Sequence, residues 1–217
     1  MDLLHQALDV LLHLDAHLND WAAALGPWLY LVLFAVVFCE TGLVVTPFLP
    51  GDSLLFAVGA LASLAGSPLS LPGLIALLIA AAVLGDAANY AIGHYLGPAV
   101  FTSERSRIFN RRHLVRTQEF YARHGRKTIF LARFVPIVRT FAPFVAGIGR
   151  MSYAVFAMWN VSGAVTWVVG LTLAGYFFGQ IPIVKNHFET VILAIVAISL
   201  MPILFEYLRA RRAAVSA

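Results

Sequence analysis

The sequence predicts an all-α polytopic membrane protein, an inverted repeat holding two opposed re-entrant helical hairpins. Three observations carry this prediction. Hydrophobic residues make up 60% of the chain and charged residues only 12%, with a mean hydropathy of +0.83, so there is too little polar surface to coat a soluble globule. Residues 53–85 and 151–184 contain no Asp, Glu, Lys or Arg, and each run exceeds the roughly 20 apolar residues that a spanning helix needs. Most of the few charges that do fall among apolar residues stand close to prolines, where a helix cannot continue undisturbed.

Residues 1–24 read as an amphipathic helix lying in the membrane interface. Leu4, Leu8, Leu11, Leu12 and Leu18 recur at helical spacing, while Asp2, Asp9, Asp15 and Asp20 stand there without Lys or Arg. That pattern lacks the basic start of a cleaved signal peptide. Residues 25–208 then form one membrane domain, with a basic loop over 101–127 and a basic tail over 209–217.

Charge sets the expected topology. Eight of the fifteen basic residues lie in the 101–127 loop, and Arg209, Arg211 and Arg212 close the chain. Both clusters are expected on the cytoplasmic side, so an even number of crossings separates them. Residues 151–184 and 190–205 supply two. Residues 128–149, which contain Arg133, Pro136, Arg139 and Pro143, would make a third if they spanned. They are therefore expected to enter and leave by the cytoplasmic face, which requires a covering of protein or a water-filled cavity. Residues 46–66, broken by Pro47, Pro50 and Gly51 beside Asp52, give a second hairpin that opens from the outer face. The N-terminus is then cytoplasmic too. Hairpins entering from opposite faces are the product of an inverted repeat. AIGHYLG at 91–97 and LAGYFFG at 173–179 mark the same place in each half, with Gly93, Gly97, Gly175 and Gly179 serving close helix packing.

Five charges fall at membrane depth: Glu40, Asp52, Asp86, Arg133 and Arg139. Each costs about 2.5–3.5 kcal/mol at a helix centre, so the set is the candidate site. Arg133 and Arg139 flank Pro136 and offer planar donor forks suited to a phosphate or carboxylate. Glu40 and Asp52 flank the first hairpin, and a carboxylate facing an apolar cavity takes up protons readily, so they are the candidates for proton coupling. Asp86, near Asn89 and Tyr90 on one helix face, reads as a hydrogen-bonded supporting residue. A static salt-bridge network pinning the hairpins is the competing reading of these charges.

Other chemistries are set aside. Ser53 has no nucleophile elbow or SxxK partner. His13 and His17 form no HExxH motif, and Cys39 is the only cysteine, so no metal site, cofactor or catalytic residue is expected. The basic loop carries no nucleic-acid motif, and anionic lipid headgroups account for it.

The segments ETGLVVTPFLPGDSLLF at 40–56, GDAANYAIGHYLG at 85–97 and RFVPIVRTFAPFVAGIGRMSY at 133–153 resemble the DedA family of bacterial inner-membrane proteins, also called the VTT or SNARE-associated domain. The resemblance runs from about residue 28 to 180. It implies opposed re-entrant hairpins and transport of lipid carriers such as undecaprenyl phosphate, driven in some members by the proton-motive force. The family's functional carboxylates fall on Glu40 and Asp52 and its functional arginines on Arg133 and Arg139. Some members have Glu at the place of Asp52 and Gly at the place of Ile137. The expected function is a proton-coupled transporter or flippase of an anionic lipid in the bacterial inner membrane. Its partners would be membrane lipids, a polyprenyl phosphate and protons; homo-oligomerisation is left open. A transporter of a small ion or oxyanion, and a structural membrane protein, are the alternatives.

Overall fold

The computed structural model describes residues 24–43, 51–64, 66–100, 119, 121–182 and 184. The interfacial helix over 1–24 (all but its last residue), Pro47, Pro50, the basic loop as far as 118, the segment 190–205 and the tail over 209–217 lie outside the described residues. Among those described, the chain is helical and contains no strand. In order come α1 (Pro27–Gly42), α2 (Gly51–Ala62), α3 (Leu71–Val100), a 3₁₀ turn (Gly125–Lys127), α4 (Thr128–Ala132), α5 (Pro136–Ile148) and α6 (Tyr153–Gly179).

Length separates these helices into two kinds. Leu71–Tyr95 of α3 and all of α6 are long and apolar enough to cross a membrane. By contrast α2, with 12 residues, and α5, with 13, reach only about 18–20 Å at 1.5 Å per residue, well short of a hydrocarbon core of about 30 Å.

The gap between α4 and α5 follows from Pro136. A residue preceding proline is pushed out of the helical region, and Val135 is extended, with φ −119° and ψ 103°. Just before it, Arg133, Phe134 and Val135 donate their N–H groups to carbonyls three residues back, at 3.3, 3.2 and 2.9 Å, so α4 tightens before it stops. Pro136 then restarts the helix at a position where its missing N–H is no loss. Inside α5, Pro143 removes the rung that would end on the Arg139 carbonyl.

The described chain falls into two compact units. One contains α1 from Tyr30, α3 from Leu74, α4, α5 and α6 as far as Gly170; the other contains α2 and the end of α6 from Leu171. In the first unit Tyr90, Ile129, Ala132, Val138, Ala142, Ala146 and Phe156 form a core. Backbone there meets backbone. A Cβ added to Gly93 would lie 2.1 Å from the Phe144 carbonyl oxygen, and one added to Gly147 would lie 2.2 Å from that of Tyr90. Within the other unit the pattern recurs: a Cβ on Gly175 would lie 2.0 Å from the Phe56 oxygen, and one on Gly59 2.1 Å from that of Thr172. Each pair joins a long helix to a short one, with a glycine contributed by each side.

Candidate functional site

Four of the five intramembrane charges meet in the first unit. Close contact between α1 and α3 sets two of them: Gly85 lies so near α1 that a Cβ would meet the Thr41 hydroxyl at 1.9 Å and the Phe38 carbonyl at 2.8 Å. Glu40 and Asp86 thereby come to neighbouring places on two helices. The break between α4 and α5 sets the other two, with Arg133 at the end of α4 and Arg139 in the first turns of α5.

The arginines are paired separately. Arg139 donates from Nη2 to Oε1 of Glu40. Arg133 donates from Nη2 to Oδ2 of Asp86 at 2.6 Å and to Oδ1 of Asn160 at 2.6 Å, and approaches the Ala82 carbonyl at 3.5 Å. Side-chain exposure is 5% for Arg133 and 6% for Asp86, against 15% for Arg139 and 2% for Glu40, so Arg139 is the less enclosed of the two cations. The Arg133 Nε–H has no acceptor among the described residues, which leaves that guanidinium with donor capacity to spare. Asp86, read from sequence as a supporting residue, is thus the direct counter-charge of Arg133.

Three neutral side chains complete the arrangement. The guanidinium carbons of Arg133 and Arg139 each lie 5.7 Å from the centre of the Trp167 ring, within range of a cation–π interaction of about 0.5–2 kcal/mol. One buried indole therefore serves both cations. Asn160 accepts from Arg133 and donates to the Val83 carbonyl at 3.0 Å, tying α6 to α3. Asn89 donates to the carbonyls of Thr41 at 3.1 Å and Thr140 at 2.9 Å, so α3 holds the end of α1 and the start of α5 at once. Sequence reasoning missed Asn160 and Trp167 as site residues. The available signal was an amide in the middle of a charge-free run.

Glu40, Thr41, Asp86, Arg133, Arg139, Thr140 and Trp167 line a cavity of about 10 Å³, room for about one water molecule. The four charges cancel and are closed upon one another, so an oxyanion can enter only if at least one ion pair parts.

Asp52 belongs to the other unit. It stands in the first turn of α2 with its side chain exposed, where a negative charge complements the helix dipole. Gly51, beside it, is buried and opens α2. The prolines at 136 and 143 act on backbone, as described above. Among the described residues no group of three or more His, Cys, Asp or Glu is placed to hold a metal ion.

The VTT domain model matches residues 49–177, which include both arginines, Asp86, all of α3 and all but the last two residues of α6. The chain is 53% identical to protein DedA of Escherichia coli (strain K12) over 217 residues, covering all of this chain and 99% of that one. The chain belongs to the DedA family. Identity within this membrane-protein family is 45% over 181 residues to an uncharacterised membrane protein of Mycobacterium tuberculosis (strain ATCC 25618 / H37Rv), covering 83% of this chain and 79% of the relative. It is 34% over 187 residues to the inner membrane protein YqjA of Escherichia coli (strain K12), covering 86% and 84%. No solved structure matches the chain.

Proposed function

We propose that this protein is a transporter that carries an anionic lipid, undecaprenyl phosphate or a related polyprenyl phosphate, across the bacterial inner membrane, without enzymatic chemistry. The observation that carries the reading is the pair of arginines on either side of a helix break, one buried and one half-buried, each held by one carboxylate and both laid against Trp167. Buried ion pairs seldom add net stability over apolar packing, so four charges retained in lipid point to a use. Planar guanidinium forks fit a phosphate, and the polyprenyl tail can remain in lipid while the headgroup visits the cluster.

Helix lengths support this reading. Helices α2 and α5 are too short to cross alone, and α4 and α5 are separated by a proline break. We read them as limbs of two hairpins. The recurrence of one glycine-mediated contact between a long and a short helix in each unit is the pattern that an inverted repeat would leave. On this reading both termini are cytoplasmic and the chain is multi-pass.

Proton coupling follows from charge balance. Glu40 and Asp86 neutralise Arg133 and Arg139, so an entering anion leaves one carboxylate in excess. A carboxylate without its cation in a dry site takes up a proton, and Glu40, partner of the less enclosed arginine, is the one released first. Asp52 is the second candidate for this role.

The test is movement of labelled undecaprenyl phosphate between leaflets in proteoliposomes, run beside uptake of radiolabelled inorganic phosphate. Leaflet exchange with no phosphate uptake supports the lipid path. Phosphate uptake without leaflet exchange would instead establish a small-oxyanion transporter, and the absence of both would leave a structural protein.

A further inference from the structure

A second pocket with basic groups lies apart from the arginine cluster, where the C-terminal part of α3 meets the turn between α5 and α6. Tyr90, His94, Tyr95, Arg150, Ser152 and Tyr153 line most of an open pocket of about 580 Å³, a size that suits a small-molecule headgroup. Arg150 and His94 supply the basic groups, Tyr95, Tyr153 and Ser152 supply hydroxyls, and no lining residue is acidic. The walls are held in place before any ligand arrives. Tyr90 donates its hydroxyl to the Met151 carbonyl and stacks on Phe156 at 4.5 Å, with His94 stacked on it at 6.0 Å and Tyr153 edge-on at 5.7 Å. Gly147 packs against the backbone of Tyr90 and His94, which fixes the end of α5 to this face.

Arg150 occupies an unusual backbone position. Helix α5 ends in a Schellman turn, in which the Met151 N–H donates to Ala146 and the Arg150 N–H to Gly147, both at 3.0 Å. The left-handed residue of that turn is normally glycine, yet here it is Arg150, with φ +49°. Its side chain takes no part in the turn's backbone bonds, and glycine would form them with less strain. The turn itself gives no reason for an arginine there.

We propose that this pocket binds an anionic phosphate group, with Arg150 and His94 as its principal contacts. The pocket is open and its His94, Tyr95, Arg150 and Tyr153 are exposed, and tyrosines concentrate at the membrane–water boundary, so a phospholipid headgroup and free inorganic phosphate can both reach the site. The proposal does not depend on the arginine cluster having a transport role.

The full-length protein in phosphatidylcholine nanodiscs is titrated with labelled phosphatidylglycerol and, separately, with radiolabelled inorganic phosphate. Saturable binding of the lipid that millimolar phosphate does not displace assigns a headgroup site; displacement, or binding of phosphate alone, assigns the free anion. In either case Arg150→Gly and His94→Gln each weaken binding by about tenfold, while the melting midpoint of Arg150→Gly stays level or rises. Saturable binding of neither probe overturns the proposal, as does unchanged affinity in Arg150→Gly. Weakened binding in Arg150→Gly with a lowered melting midpoint, together with native affinity in His94→Gln, also overturns it, because Arg150 is then structural.

Discussion

Arg133 runs alongside α6, with its Cδ and Nε 3.1 and 3.2 Å from where a Cβ on Gly163 would stand. That distance makes Gly163 part of the machinery that aims the guanidinium. Gly163→Ala and Gly170→Ala both improve helix propensity by about 1 kcal/mol, but none of the described residues lies within 4 Å of a Cβ at Gly170. The comparison isolates the contact. Gly170→Ala is expected to raise the melting midpoint and leave transport intact, whereas Gly163→Ala loses that gain, at an overpacking cost of about 1–3 kcal/mol, and slows transport. Equal midpoints and equal rates in the two variants would show that Arg133 is not held by this contact. At this scale the sequence marks which charges stand among apolar residues and is silent about how they pair. Insertion cost singles out Glu40, Asp52, Asp86, Arg133 and Arg139 wherever they point, Asp52 included although it stands exposed in the other unit, and the choice of Asp86 over Glu40 for Arg133 depends on how helices separated by 47 residues are packed. Trp167 was hidden for a similar reason: an aromatic on an apolar helix gives no sign of the cations it faces.

Helix breaks were the most legible elements, because their cause is local. Pro136 forces Val135 extended, and the break stands where the proline predicts it. The glycine motif at 91–97 and 173–179 was a weak match as letters, yet Gly93 and Gly175 make the same kind of close contact in their units. What letters could not convey is the partner, since Gly93 meets α5 and Gly175 meets α2. If α4 and α5 are limbs of a hairpin, Lys127 and Arg150 share one side of the membrane. Single cysteines at these two exposed positions, in a chain whose Cys39 is replaced, should react with an impermeant maleimide from the cytoplasmic side only. Labelling from opposite sides would mean that the segment spans.

For the molecule as a whole, a neutral cluster around a cavity about one water wide is closed, and the proposed transport requires it to open to a charged guest. The charge argument gives a sign: protons that neutralise the released carboxylate favour the anion-bound state, so transport should accelerate as pH falls on the side from which substrate enters. Glu40→Gln should retain substrate binding and lose this dependence. Native pH profiles in both Glu40→Gln and Asp52→Asn would show that these carboxylates are structural. The central claim is that Arg133 and Arg139 grip the phosphate with forked donors, not merely with charge. Its most direct measurement is the leaflet-exchange rate of labelled undecaprenyl phosphate in proteoliposomes bearing Arg133→Lys or Arg139→Lys. Lysine keeps the charge but not the bidentate geometry, and loss of charge-assisted hydrogen bonds worth about 1.5–3 kcal/mol predicts rates roughly ten- to hundredfold below native in protein that still inserts and melts as a folded chain. Native rates in both lysine variants would contradict the account.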